Sequence, residues 1–228
     1  RTRLVGSEMC IRDSYLSIKI VKVLVGLSGG VDSSVAAFLL KQEGFDVTAG
    51  FMRNWEDDDG SPYCSIKEDF LDAAQVADKL GINLVQMNFA KEYKDKVFSY
   101  FLEELNNGKT PNPDIYCNKF IKFKEFTNYA IKNDFDAVAT GHYSKVQVID
   151  KKHFLCKSYD QSKDQTYFLS QVEKDVFKNI KFPLGNLLKT DVRKIAEVEN
   201  LITYDKKDST GICFIGERPF PEFLKNYL

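Results

Sequence analysis

A β-branched apolar run, Ile20–Leu27, enters the string Ser28-Gly29-Gly30-Val31-Asp32-Ser33-Ser34 and leaves it through the apolar-periodic segment Val35–Leu40. Such a string joins a buried strand to a helix, and the glycines let the backbone turn sharply and come close to a ligand. Amides at the helix start, with the hydroxyls of Ser28, Ser33 and Ser34, form a concavity of donors suited to an oxyanion such as phosphate. The GxxxxGK[ST] solution is excluded, because no lysine stands in the loop.

The same alternation continues. Val21–Leu27, Val47–Met52, Leu84–Asn88 and Ala137–Thr140 read as strands, with helices expected over about 32–43, 65–80, 93–105 and 119–132. Strands alternating with helices predict an α/β fold, a Rossmann-like parallel sheet with helices on both faces. Ligands of such sheets bind outside the carboxyl ends of the strands. Gly26, Leu27, Ser28, Gly29, Gly30, Val31, Asp32, Ser33, Met52 and Gly141 are therefore expected to converge on one nucleotide pocket. Residues 106–118, with two prolines and four asparagines, read as a rigid loop. Tyr143–Ile149 and His153–Lys157 read as a hairpin around Asp150-Lys151-Lys152, and a helix is expected near Asp191–Asn200.

Composition narrows the class. The 228 residues carry a formal net charge of −1, so no overall field draws in nucleic acid and any RNA contact rests on local patches. No apolar run approaches the length of a bilayer helix. Five cysteines and two histidines without CxxC spacing fit reduced thiols in a cytoplasm-like compartment better than a disulfide framework or a zinc site. The segment Arg1–Ser14 lacks apolar periodicity, so residues 1–20 are set aside as an extension. Residues 21–208 are expected to form the catalytic domain, and 209–228 the start of a further one.

SGGVDS resembles the pyrophosphate loop of the N-type ATP pyrophosphatases. With FMRNWEDDDG at 51–60, TPNPDIYCNKFIKFK at 110–124, ATGHY at 139–143, KDQTYFL at 163–169 and DSTGICFIGER at 208–218, the chain is similar to the tRNA-specific 2-thiouridylases. Tyr116 departs from this pattern, standing where the family commonly has an aliphatic residue. The resemblance implies ATP-dependent adenylation of the wobble uridine at its C2 oxygen, then replacement of that oxygen by sulfur. It implies ATP and Mg²⁺ as cofactors, with tRNA and a persulfide-donating protein as partners and no membrane. It also implies that a β-barrel and most of a central domain follow Leu228.

On this resemblance, Cys213 carries the persulfide. Cys117 either releases that sulfur by forming a disulfide with Cys213 or assists its direct attack. Asn112, Pro113 and Asp114 bind the target base, with Asp114 as candidate acceptor of the N3 proton, and Lys163, Asp164 and Gln165 contact tRNA. From the residues alone, Cys117 sits at an expected helix start beside Lys119 and Lys122, a setting that favours thiolate. Asp32 reads either as a Mg²⁺ ligand or as a helix N-cap. Two other classes share SGGxDS: a different pyrophosphatase-loop synthetase, which needs no paired cysteines, and a domain that binds nucleotide or RNA without turnover.

Overall fold

A computed structural model describes residues 20–55, 66–208, 219–225 and 227. Five strands, β1 (Lys22–Gly26), β2 (Asp46–Arg53), β3 (Asn83–Asn88), β4 (Ala137–Ala139) and β7 (Ile180–Lys181), form a parallel sheet in the order β3-β2-β1-β4-β7. The hairpin β5 (Ser144–Ile149) and β6 (Lys152–Lys157) stands apart, turning through Asp150 and Lys151, both at positive φ. The strands therefore lie within a residue or two of their expected places. The two-residue β7 carries no periodicity to read and was not expected.

Period-two alternation divides the core between the two faces of the sheet. Val23, Val25, Val47, Ala49, Phe51, Ala137 and Ala139 join one apolar cluster with α1 (Val31–Gln42), α2 (Ile66–Leu80) and the helix Lys189–Val198. Leu24 and Val138 point the other way, onto Phe123, Phe126, Ala130, Leu169 and Phe177. β1 is central, and its Val23, Leu24 and Val25 are fully buried.

The helix expected near 119–132 is longer, running over 113–132 with a π-type stretch at Cys117–Glu125. Residues 113–118 are thus helical, which corrects the expectation of a loop through 118. Asn112 caps this helix, its side-chain oxygen accepting the Asp114 amide at 3.0 Å, and Pro113 takes the first helical position. Proline is tolerated there because its missing N–H has no intrahelical partner to lose. The preceding helix, over 90–106, packs beside it around Trp55, Tyr93, Val97, Phe98, Phe101 and Ile121.

Leu24 is fully buried on the central strand in the cluster that holds Phe123 and Phe126, so Leu24→Ala is expected to destabilise the domain by roughly 2–5 kcal/mol. Urea unfolding followed by circular dichroism measures this as a lower midpoint with unchanged slope.

Candidate active site

The turn after β1 is shaped by contacts that exclude a side chain. Gly29 has φ +76°, and a Cβ there would lie 2.3 Å from the Asp69 carbonyl oxygen. A Cβ on Gly141 would lie 2.9 Å from the Ser33 amide nitrogen, and one on Gly26 would lie 3.3 Å from the end of Met52. The structure thus brings Gly26, Met52, Gly141 and the 28–33 turn to one edge of the sheet, at the carboxyl ends of β1, β2 and β4.

Within the turn, the Ser33 hydroxyl accepts the Ser28 amide at 3.1 Å and donates to the Gly30 carbonyl at 3.0 Å. Ser34, expected to aim a donor at the ligand, instead donates to the Gly30 carbonyl at 2.9 Å and accepts from Thr203 at 3.0 Å, fully buried. Its hydroxyl braces the turn. Ser28 alone of the three serines is exposed.

Asp32 also departs from expectation. The helix cap is Gly30, and Asp32 is the second residue of α1, so it is no N-cap. Both of its carboxylate oxygens accept from Lys189 Nζ at 2.7 Å, and Oδ1 accepts the Tyr143 hydroxyl at 2.9 Å. Among the described residues no group of three or more His, Cys, Asp or Glu side chains gathers to hold a metal. A protein-held Mg²⁺ on Asp32 does not fit this arrangement, because an ammonium already occupies the carboxylate.

Lys189 also reaches Asp208 Oδ1 at 2.9 Å, and Asp208 is shared with Arg193 at 2.6 Å and Lys163 at 3.0 Å. Burial pushes the Asp208 carboxyl up, but the hydrogen bonds from Lys189 and Lys163 outweigh it and hold the group down at about 2. Lys189, Tyr143, Asp208 and Arg193 were not legible as site residues in the sequence. Lys189 lies 157 positions from Asp32, and no local pattern links them.

The segment 163–165 borders this cluster, and its side chains have internal partners. Gln165 exchanges two bonds with Tyr143, each 2.9 Å, through its side-chain oxygen and its amide. Asp164 accepts the Ser158 amide and the Thr166 hydroxyl, each at 2.8 Å. The first turn of the 113–132 helix packs against the short 3-10 turn Thr166–Leu169, which brings Asn112–Asp114 alongside.

Two titratable groups are shifted near here. Burial raises the Asp114 carboxyl above its usual range despite the opposing pull of Lys122. Burial, reinforced by Lys122, drives His142 well below the usual imidazole value. His142 is thus neutral at pH 7, its Nδ1 2.7 Å from the Thr140 hydroxyl and its ring against Phe123 and Phe182.

Cys117 occupies an unexpected setting. It lies a full turn inside its helix, 1% exposed, within the apolar cluster of Trp55, Tyr93, Phe98, Phe101 and Phe223. Lys119 is turned to the Phe120 and Tyr116 rings, its Nζ 5.1 and 6.0 Å from their centroids. The expected electropositive, loop-borne thiol is therefore an enclosed one. Tyr116 stacks on Tyr100 with ring centroids 4.0 Å apart. Cys156, on β6, is half-buried with its thiol 3.5 Å from Gln147 Oε1. Cys213 and Cys64 lie outside the described residues, as do the domain limits expected at 1–20 and across most of 209–228.

An α/β sheet with a glycine-bounded oxyanion turn at its carboxyl edge defines a nucleotide-loop domain of the Rossmann type. Over residues 21–217 the chain matches the family described as tRNA methyl transferase HUP domain, and it belongs to that family. It is 56% identical over 207 residues to the tRNA-specific 2-thiouridylase MnmA of Chromobacterium violaceum, covering 91% of this chain and 54% of that protein. The protein of the same name from Pediococcus pentosaceus is 55% identical over 208 residues, covering 91% and 55%. The chain spans about half the length of these curated relatives. Two solved structures share the fold. An NMN synthetase from Francisella tularensis has TM-score 0.53 at 20% identity, covering 92% of this chain and 75% of that one. A 4-thiouridine synthetase in complex with RNA and ATP has TM-score 0.51 at 16% identity, covering 90% and 49%.

Enclosure of Cys117 predicts slow alkylation. With iodoacetamide under native conditions, the Cys156 peptide should be modified well before the Cys117 peptide, and mild denaturant should remove the difference. Equal rates in native protein would contradict the burial.

Proposed function

We propose that this chain carries the adenylating and sulfur-handling centre of a tRNA 2-thiouridylase acting in the cytoplasm. The observation that carries the reading is the glycine turn at 28–33, packed main chain to main chain against Asp69 and Gly141, in a chain more than half identical to named 2-thiouridylases.

A ring carbonyl oxygen is a poor leaving group, so activation precedes substitution. Uridine O2 attacks the α-phosphate of ATP, a P–O bond forms, and pyrophosphate departs with its electron pair toward the donors of the turn. Asp114 takes the N3 proton. A carboxylate raised by burial is a stronger base than an exposed one, and its place two residues after the Asn112 cap sets it beside the 163–169 segment. Asn112 and Pro113 position the base, and Lys163, Asp164 and Gln165 face the tRNA. Mg²⁺ enters this reading only as an ion carried on ATP.

Sulfur then arrives as a persulfide on Cys213, supplied by a donor protein. Its terminal sulfur attacks C2, and AMP leaves with the former carbonyl oxygen. The Cys117 thiolate attacks the Cys213 sulfur, which leaves the outer sulfur on the base and joins the two cysteines in a disulfide. An external thiol reductant restores both. Cys117 is enclosed by Phe98, Phe101 and Phe223, so this step requires its apolar cover to part.

The test is nucleoside mass spectrometry of tRNA incubated with ATP, a sulfur source and the full-length protein. Cys213→Ser should still release pyrophosphate with tRNA but make no 2-thiouridine, because a serine hydroxyl carries no persulfide. Near-normal thiolation in that variant would favour a one-step synthetase instead. Asp114→Asn should slow pyrophosphate release by about 10²–10⁴-fold. With Asp114 intact, the rate should fall as pH drops through a value above the ordinary aspartate range, the direction that a raised pKa gives.

A further inference from the structure

We infer that Tyr143 is a positioning residue for adenylation: by holding Asp32 with its side chain and Gln165 with its main chain, it fixes the distance between the nucleotide turn and the tRNA segment. This rests on the reading above in taking ATP and tRNA as the two substrates that meet there.

Adenylation joins two separate molecules. Uridine O2 attacks the α-phosphorus efficiently only when the reacting atoms are held about 3–3.5 Å apart and aligned, and much of the rate of such a step comes from that placement. The turn at 28–33 and the segment 163–165 lie far apart in the chain, and Tyr143 touches both. Its hydroxyl donates to Asp32 Oδ1 at 2.9 Å, on the second residue of α1. Its amide donates to Gln165 Oε1 and its carbonyl accepts the Gln165 amide, each at 2.9 Å. Gly141, two positions earlier, packs on the Asp32–Ser33 peptide, so residues 141–143 grip the turn through main chain and side chain together.

Both ends of this bracket are stiff. Tyr143 is buried in the core cluster that also holds Val31, Val35 and Leu184. The next residue, Ser144, is fully buried, donates to the Cys156 carbonyl at 3.2 Å, and has its own carbonyl covered by Gly185 at a separation that admits no side chain. On the tRNA side, Asp164 accepts the Ser158 amide and the Thr166 hydroxyl, which locks the residues flanking Gln165. The Tyr143 hydroxyl keeps its proton, since burial and the neighbouring Asp32 carboxylate both push its ionisation up. It is therefore a donor to Asp32 throughout the neutral range.

A second tie from the tRNA segment, Lys163 to Asp208 at 3.0 Å, leaves 42% and 33% of the two side chains in solvent, so it is screened and rides on a flexible stem. A buried hydroxyl on a rigid ring holds a set distance instead. A purely architectural tyrosine, using Asp32 only to satisfy its hydroxyl, makes a different prediction: loss of the hydroxyl would lower stability but leave the rate per folded molecule unchanged.

The test is Tyr143→Phe in the full-length protein, which keeps the ring and removes only the hydroxyl. Asp32 retains both of its bonds from Lys189, so no bare carboxylate is left behind. Equilibrium titrations with ATP and with tRNA should give unchanged dissociation constants. The single-turnover rate of pyrophosphate release at saturating ATP and tRNA should fall at least about tenfold, because misplacing reacting groups by an ångström costs up to about 10²-fold. Replacing Tyr143 by 4-aminophenylalanine, which restores a donor at the same place, should recover most of the rate. An unchanged rate, a loss accounted for by weaker ATP or tRNA binding, or no recovery with the amine overturns the assignment.

A second measurement does not depend on the variants folding. In unaltered full-length protein with isotope-labelled tyrosines, the Tyr143 hydroxyl proton should stay protected from solvent exchange when ATP and an anticodon stem-loop are bound together, and its loss on ATP binding also overturns the assignment. If the unaltered protein releases no pyrophosphate with ATP and tRNA, the thiouridylase reading falls and this one with it. If it forms 2-thiouridine and Tyr143→Phe releases pyrophosphate at the same rate, this one alone falls.

Discussion

Backbone touching backbone at Gly29 and Gly141 is the constraint on which the rest depends. Gly29 lies on the Asp69 carbonyl and Gly141 on the Asp32–Ser33 peptide, each at a separation no side chain permits. These two contacts fix the turn against α2 on one side and against the strand end of β4 on the other. On those two sides the turn is thus held by main chain against main chain, with no side chain between. The positive φ at Gly29 adds a second reason for glycine there, since the left-handed region costs other residues energy.

Around this centre, charged side chains hold the chain's later segments in place. Lys206 bridges Asp69 and Asp72 on α2, Arg193 donates to the Tyr204 and Lys206 carbonyls, and Asp208 gathers Lys163, Lys189 and Arg193. Pairs with a third of their side-chain surface in solvent contribute little to folding energy, typically below about 1 kcal/mol each. Their effect is positional. Residues 203–208 are seated beside the turn by directional bonds, including the buried Thr203 to Ser34 contact, where an apolar patch would have left their register loose.

Local periodicity made most of the fold readable. Val23, Leu24 and Val25 alternate between the two faces of the sheet, and a short β-branched run bounded by glycine or polar residues marks each of the longer strands. The glycine turn was readable for the same reason, because its constraint is written in consecutive residues. The 113–132 helix was misjudged at its start because Asn-Pro-Asp is ambiguous. The residues that break a helix in its interior are those that begin one, and only the Asn112 side chain on the Asp114 amide decides between the two.

What escaped the sequence reading shares one property: it depends on residues that meet only in three dimensions. The ammonium that pairs with Asp32 is supplied from the start of the 189–198 helix, and the cover over Cys117 comes from Trp55, from Tyr93 and Phe101 of the 90–106 helix, and from Phe223, three separated segments. The two cases bear on reactivity in opposite senses. The fold gives Asp32 a cationic partner that no local pattern announces, while it withdraws a thiol that looked accessible in its string. A thiol enclosed in this way is shielded from oxidants and stray electrophiles for as long as Trp55, Tyr93, Phe101 and Phe223 stay packed over it.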